Sequence, residues 1–242
     1  MNYLEAMELR CSRRSYQSTP IDGKSLRILN ELTNKYNKES GLSIQLIENG
    51  SNSFHGILKS YGMFHGVQSF FAMAGTEEDP HMREKIGYYG ELLVLEATKL
   101  GLGTCWVGGT FDKKNCPCSL KNKEALVCVI TVGNVLEKQS LRERTIHKLT
   151  HTGTKSLEYY YTCDAPVPEW FLKGIQAVSL APSAVNRKPV HFILKHGIVS
   201  AAVKNTNGFQ LVDLGIAKLH FELATERHFE WGNNGKAPAN KS

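Results

Sequence analysis

Long apolar runs are missing from this chain of 242 residues. None approaches the ~18 apolar residues that a membrane-spanning helix needs. The opening stretch MNYLEAMELRCSRRSY has no apolar h-region, so a secretory signal is not expected. Cysteine is sparse: Cys11, Cys105, Cys116, Cys118, Cys128 and Cys163 read as reduced thiols, as in a cytoplasmic protein. Metal-ligand spacing is missing too. Cys116-Pro-Cys118 is the one close cysteine pair, and His147 with His151 completes no four-ligand set. No G-x-G-x-x-G turn is present to hold a dinucleotide. Charge excess is small, with 29 basic against 23 acidic residues. That balance suits an anionic small molecule as well as nucleic acid, and no aromatic-basic interleaving favours the latter. A composition 41% hydrophobic and 21% charged excludes a disordered or collagen-like chain.

What is there reads as alternating helices and strands. Residues 3–11 form a first helix, with Asn2 as cap and Glu5 as the acid of a capping box. Asp22 caps a second helix carrying Leu26, Leu29 and Leu32. Strands follow at 42–47 and 68–74, then a long helix over 81–100 with Ile86, Tyr89, Leu93 and Ala97 on one face. The run LVCVITV at 126–132 is short, β-branched and apolar throughout, as a strand buried on both faces would be. Residues 137–155 are polar and basic. A helix opens near Pro168 and ends at Ala181-Pro182, a strand covers 190–194, and a last helix covers 213–228. The tail from Gly232 is expected to fray. Helix, turn and strand recur at 22–47 and 167–194. Gly87 and Gly215 each sit in a long helix, so the chain suggests an internal repeat of about half its length.

Four segments carry possible chemistry. Arg13-Arg14-Ser15 sets two guanidiniums beside a hydroxyl, which suits a phosphate. Gly101 to Gly109 holds four glycines that let backbone approach a ligand. Ala181 to Pro189 (APSAVNRKP) is a polar loop between a helix and an apolar strand. Arg142 and Arg144 are paired cations. Taken singly, each also reads as an ordinary surface loop or cap.

Taken together they resemble the nitroreductase family of flavin enzymes. The family's R-R-S is Arg13-Arg14-Ser15, its G-L-G-T-C-W-(I/V)-G is Gly101 to Gly108, and its (A/S)-P-S-(A/S)-x-N-x-x-P is Ala181 to Pro189. A basic pair after the last core strand is Arg142 and Arg144. The order departs from the common pattern, because P-S-A-V-N follows G-L-G-T-C-W here. The resemblance implies an α+β fold, a mostly antiparallel sheet flanked by helices. It also implies two pseudo-repeated halves in which one chain imitates the family dimer: 1–160 with most cofactor contacts, and 161–242 completing the site. FMN is the implied cofactor, with NADH or NADPH as electron donor and a nitroaromatic, quinone or similar small molecule as acceptor. A monomer is expected, without nucleic acid or membrane as partner.

The residues implied at FMN are Arg13, Arg14, Ser15, Gln17, Val107, Gly108, Gly109, Arg142, Arg144, Pro182, Ser183, Ala184 and Asn186. Gln17 stands where many members place a base, and Lys188 or Arg187 are candidate substitutes; Val190 stands where a Trp is common. The cofactor carries the chemistry, so no catalytic side chain is expected. Were one required, Tyr88, Tyr89 and His191 would be first. A flavin-binding or redox-sensing protein without turnover is the alternative.

Overall fold

A computed structural model describes residues 1–54, 64–140, 143–146, 155–164 and 166–238. Helix α1 spans Tyr3–Leu9 and is capped as its sequence dictates: the Asn2 side chain accepts the Glu5 N–H, and Glu5 accepts the Asn2 N–H. It ends before the arginines. From Arg10 the chain runs on extended, with single parallel bridges pairing Ser12 with Thr104 and Ser15 with His65. Helix α2 spans Gly23–Ser40; the Asp22 carboxylate accepts from Lys24 and Ser25, and Gly41 closes it with φ at 74°.

Strands β1 (Gln45–Ile47) and β2 (Ser69–Thr76), helix α3 (Met82–Lys99), and strands β3 (Gly103–Val107) and β4 (Glu124–Gly133) follow. The strands form an antiparallel sheet in the order β1-β2-β4-β3. Strand β4 lies between two partners with both faces covered, which accounts for its unbroken apolar run. Most of the glycine-rich stretch is therefore strand β3; the loop proper starts at Gly108.

The second part contains strand β5 (Tyr161–Cys163), helix α4 (Glu169–Leu180), strands β6 (His191–Lys195) and β7 (Ile198–Ala202), helix α5 (Gln210–Thr225) and strand β8 (Lys236–Ala237). They form a second sheet, β5-β6-β7-β8, parallel at β5/β6 and antiparallel elsewhere. The α+β architecture, mostly antiparallel with flanking helices, is present as two four-stranded sheets. Each sheet has its own apolar core, around Phe71 and Ile130 in the first and Phe192 and Phe221 in the second.

Helices α3 and α5 pack against each other between these cores. A Cβ at Gly87 would lie 2.0 Å from the Val212 carbonyl oxygen, and one at Gly215 would lie 1.9 Å from that of Glu84. Both contacts are to backbone, so only glycine allows the helices this close.

The tail is not frayed through 238. Lys218 is buried, and its Nζ reaches the Glu84 carboxylate and the carbonyls of Glu230 and Gly232. The Gly232 N–H donates to Glu84 at 2.6 Å, and Ala237, fully buried, pairs with Val199. A buried cation facing three oxygens overrides the loop-like composition of this segment. Among the described residues, no helix is long and apolar enough to cross a membrane.

Candidate functional site

One cavity of about 1090 Å³ opens where the two parts of the chain meet. Three segments remote in sequence converge on it. The first is the extended stretch after α1. An extended chain sends alternate side chains to opposite faces, and here Arg10, Ser12 and Arg14 line the cavity. Arg13 does not. It is buried, with Nε donating to Glu143 Oε1 at 3.1 Å and an Nη to the Leu136 carbonyl at 2.8 Å.

Glu143 fixes this stretch. Its Oε1 also accepts the backbone N–H of Arg14 at 2.7 Å and of Ser15 at 3.2 Å, and its Oε2 accepts that of Ser140 at 2.7 Å. Burial opposes its charge, but these N–H donors and the Arg13 guanidinium outweigh it and hold the carboxyl down at about 2.

The second segment is the end of β3, from Trp106 to Thr110. Gly108 lies against the Phe209 ring, where a Cβ would meet it at 2.6 Å, whereas Gly109 has open space beside it. The third is the loop from α4 to β6. Pro182, Ser183, Ala184, Val185, Asn186 and Lys188 all face the cavity. Val185, Asn186 and Lys188 have φ of 52°, 54° and 51°. Left-handed backbone is a true outlier for a β-branched residue such as Val185. Local hydrogen bonds hold the loop: Asn186 N–H to the Ser183 carbonyl, Lys188 N–H to Ser183 Oγ, and Ala184 N–H to Asp213 Oδ1, each 2.9 Å. Helix α5 supplies the floor with Phe209, Val212, Asp213 and Ile216.

The cavity wall carries four cations, Arg10, Arg14, Lys155 and Lys188, against Glu8 and Asp213. Arg10 Nε is buried and has no hydrogen-bond partner among the described residues; Glu91 Oε1 lies 3.9 Å away. Glu91 is instead held by Trp106 Nε1 at 2.9 Å and His220 Nε2 at 3.1 Å. Lys188 Nζ bonds the carbonyls of Ser179 and Ala181. Burial, with Arg10 adding to it, lowers the Lys188 ammonium to about 8. Burial raises the Asp213 carboxyl to about 6, against the opposing pull of the Ala184 N–H and Lys188.

Of the residues expected here, the cavity gathers Arg14, Val107, Gly108, Gly109, Pro182, Ser183, Ala184 and Asn186. Arg13, Ser15 and Gln17 are not part of its wall: Ser15 Oγ meets Ser140 Oγ at 3.0 Å, and the Gln17 N–H bonds the Asn134 carbonyl. Arg144 is exposed on the helical turn at 143–146, and Arg142, His147 and His151 lie outside the described residues. Tyr88, Tyr89 and His191 are also away from the cavity; Tyr88 donates to Glu222, and His191 bonds Thr162. Arg10, Ser12 and Asp213 are further members of the wall, and Lys188, the candidate substitute cation, faces the cavity as well. The period-two alternation of Arg10, Ser12 and Arg14 was the available signal for the first two. Among the described residues, no group of three or more His, Cys, Asp or Glu could hold a metal ion.

A family model described as "Putative TM nitroreductase" matches residues 2–225. Among solved structures, the "putative nitroreductase" of Thermotoga maritima is 19% identical and aligns over 98% of this chain and 92% of its own, with a TM-score of 0.63. A nitroreductase family protein of Clostridium difficile is 18% identical over 64% of this chain and 94% of its own, at a TM-score of 0.46. A nitroreductase with bound FMN from Bacteroides fragilis is 13% identical over 58% and 95%, at 0.43. No curated protein matches the chain. With nearly its whole length matched by the family model, the chain belongs to the nitroreductase family.

Proposed function

We propose that the cavity binds one FMN and that the protein is an FMN-dependent oxidoreductase. It would oxidise NADH or NADPH and reduce a nitroaromatic, a quinone or a similar small acceptor. The observation that carries this reading is the convergence of Arg10–Arg14, Trp106–Thr110 and Pro182–Lys188 on one cavity. Family membership supports it.

The residues present fit such a group. A phosphate needs charged donors, and four cations face the cavity against two acids. Arg10 Nε is a buried donor without a hydrogen-bond partner among the described residues, a costly arrangement that an anion would relieve. Gly109 leaves room for a ring beside backbone N–H groups. When bound, FMN supplies hydride acceptance from a nicotinamide and hydride return to a second molecule. Arg10, Ser12 and Arg14 would bind its anionic and polyhydroxyl parts. The N–H groups of Val107 to Gly109 would orient the ring. Pro182, Ser183, Ala184 and Asn186 would close the site from the second part of the chain.

Residues 1–160 and 161–242 would then play the roles of two subunits within one monomer. The reciprocal contacts of Gly87 and Gly215 support that division. Cys105 and Cys128, buried as thiols, support a reducing, cytoplasmic setting.

The visible spectrum of the purified protein, followed by FMN titration of the apoprotein, tests the cofactor. Steady-state NADH and NADPH oxidation with a quinone tests turnover. One cavity for donor and acceptor gives parallel double-reciprocal lines. Absence of flavin binding would end this reading; intersecting lines would end alternating access; flavin bands without turnover would favour a sensor or store.

A further inference from the structure

Asp213 is an anomaly in the cavity floor. It sits in the first turn of α5 yet does not cap that helix, and it is 5% exposed. Its Oδ1 accepts the Ala184 N–H at 2.9 Å. No hydrogen bond from a described residue reaches its Oδ2, and Asp213 is one of the residues that line the cavity. Holding the loop needs only a neutral acceptor, which an asparagine would supply without the cost of burying a charge. The carboxyl's distinguishing property is that it can hold and release a proton.

We propose that Asp213 Oδ2 holds the proton that reduction of the acceptor consumes, with the Ala184 N–H fixing the carboxyl in place. This rests on the oxidoreductase reading above. A quinone takes up a hydride, which brings two electrons and one proton, and needs one further proton to leave as the hydroquinone. That proton passes from Asp213 Oδ2 to the quinone oxygen, and the resulting carboxylate regains one from water. The charged groups around Asp213 are Lys188 on the α4–β6 loop and, behind Lys188, Arg10 after α1, Lys155 and Glu91 on α3.

Other titratable groups of the wall suit the task less. Cys128 is buried and its thiol is pushed up to about 12, so it keeps its proton. Lys188 Nζ is engaged by two carbonyls. Asp213, raised to about 6, changes state near neutrality, where a general acid works best.

Single-turnover reoxidation of the NADH-reduced protein tests this, with benzoquinone and with ferricyanide, a one-electron acceptor that takes no proton. In the wild type, the quinone rate should fall as pH rises through about 6, and the ferricyanide rate should not. In Asp213→Asn, which keeps an acceptor for the Ala184 N–H, the quinone-to-ferricyanide ratio should drop by about tenfold or more and lose its pH step. An unchanged ratio, or a pH step that survives the substitution, overturns the proposal. So does an infrared difference between the two apoproteins that shows no carboxyl titrating near pH 6. That last measurement needs no flavin. A wild type that binds no flavin would overturn the functional reading, and this one with it, whereas flavin-loaded Asp213→Asn with an unchanged ratio would overturn this one alone.

Discussion

Arg10 and Arg13 are three residues apart and do opposite things, so exchanging each for methionine separates binding from folding. Arg10 has 12% of its side chain exposed, its Nε has no hydrogen-bond partner among the described residues, and Glu91 Oε1 lies 3.9 Å away. Glu91 keeps Trp106 and His220 when that guanidinium is removed. Arg10→Met should therefore cost the fold little. Against an anionic ligand it forfeits a charge-assisted contact of about 1.5–3 kcal/mol, roughly ten- to hundredfold in Kd. Arg13→Met does the reverse. It strips a cation from Glu143, whose side chain is fully buried, and breaking a buried pair costs about 3–5 kcal/mol. The assay is FMN titration of each apoprotein by fluorescence quenching, beside its thermal unfolding. The expected outcome is weak binding with a near-normal Tm for Arg10→Met. Arg13→Met should instead have a low Tm, with Kd measured well below that Tm changed less than in Arg10→Met. Wild-type affinity in Arg10→Met, or a greater loss of affinity in Arg13→Met, would refute the assignment of alternate residues to the cavity.

The Glu143 carboxyl, lowered to about 2 when folded, stabilises the protein above its ordinary value of 4.5 and loses that contribution as pH falls from there towards 2. Urea unfolding should show Glu143→Gln about 3 kcal/mol less stable at neutral pH and converging with the wild type in acid; a constant difference at every pH would contradict the charge-based account. Gly215→Ala should lower Tm sharply or abolish soluble expression, because its Cβ would strike the Glu84 carbonyl at 1.9 Å. A neutral Gly215→Ala would mean the helices can separate at little cost.

Much of the architecture was legible where local chemistry decides it. The Asn2–Glu5 box, the Asp22 cap and the apolar run of β4 are local signals, and each element formed where those signals put it. Residues whose role depends on a distant partner were not legible. Strand β8 looks like frayed tail until Lys218 and Glu84, remote in sequence, dock it. The hairpin into β7 was missed, although His196 and Gly197 both have positive φ in its turn. At the site, Arg13-Arg14-Ser15 reads as one contiguous motif in sequence, while extended backbone alternates its side chains and Arg14 lines the cavity. Lys188 was considered as a substitute cation, and it does face the cavity. Nothing local marks Asp213, a carboxyl whose partner is the N–H of a loop 29 residues earlier.

The crossing of α3 and α5 also pairs positions on the two helices. Gly87 meets the carbonyl of Val212, and Gly215 meets that of Glu84, so 84 corresponds to 212 as 87 does to 215. By the same spacing, the cavity residues Phe209, Val212, Asp213 and Ile216 correspond to His81, Glu84, Lys85 and Tyr88 on α3. At those four positions Glu84 is buried, and His81, Lys85 and Tyr88 are half-buried beside a C-terminal segment. Gly232 lies against His81, and its N–H bonds Glu84. Trp231 packs edge-on against Tyr88 and places its ring 6.0 Å from Lys85 Nζ. Lys218 bonds Glu84 from below and ties down the same segment through two carbonyls. A C-terminal segment therefore packs against these positions, whereas Phe209, Val212, Asp213 and Ile216 line the cavity. Two independent subunits could not easily do this: in a symmetric dimer any segment that fills one site fills both. On the proposed division into two halves, a single chain would let the two sides differ, one lining the cavity and the other holding the C-terminal segment.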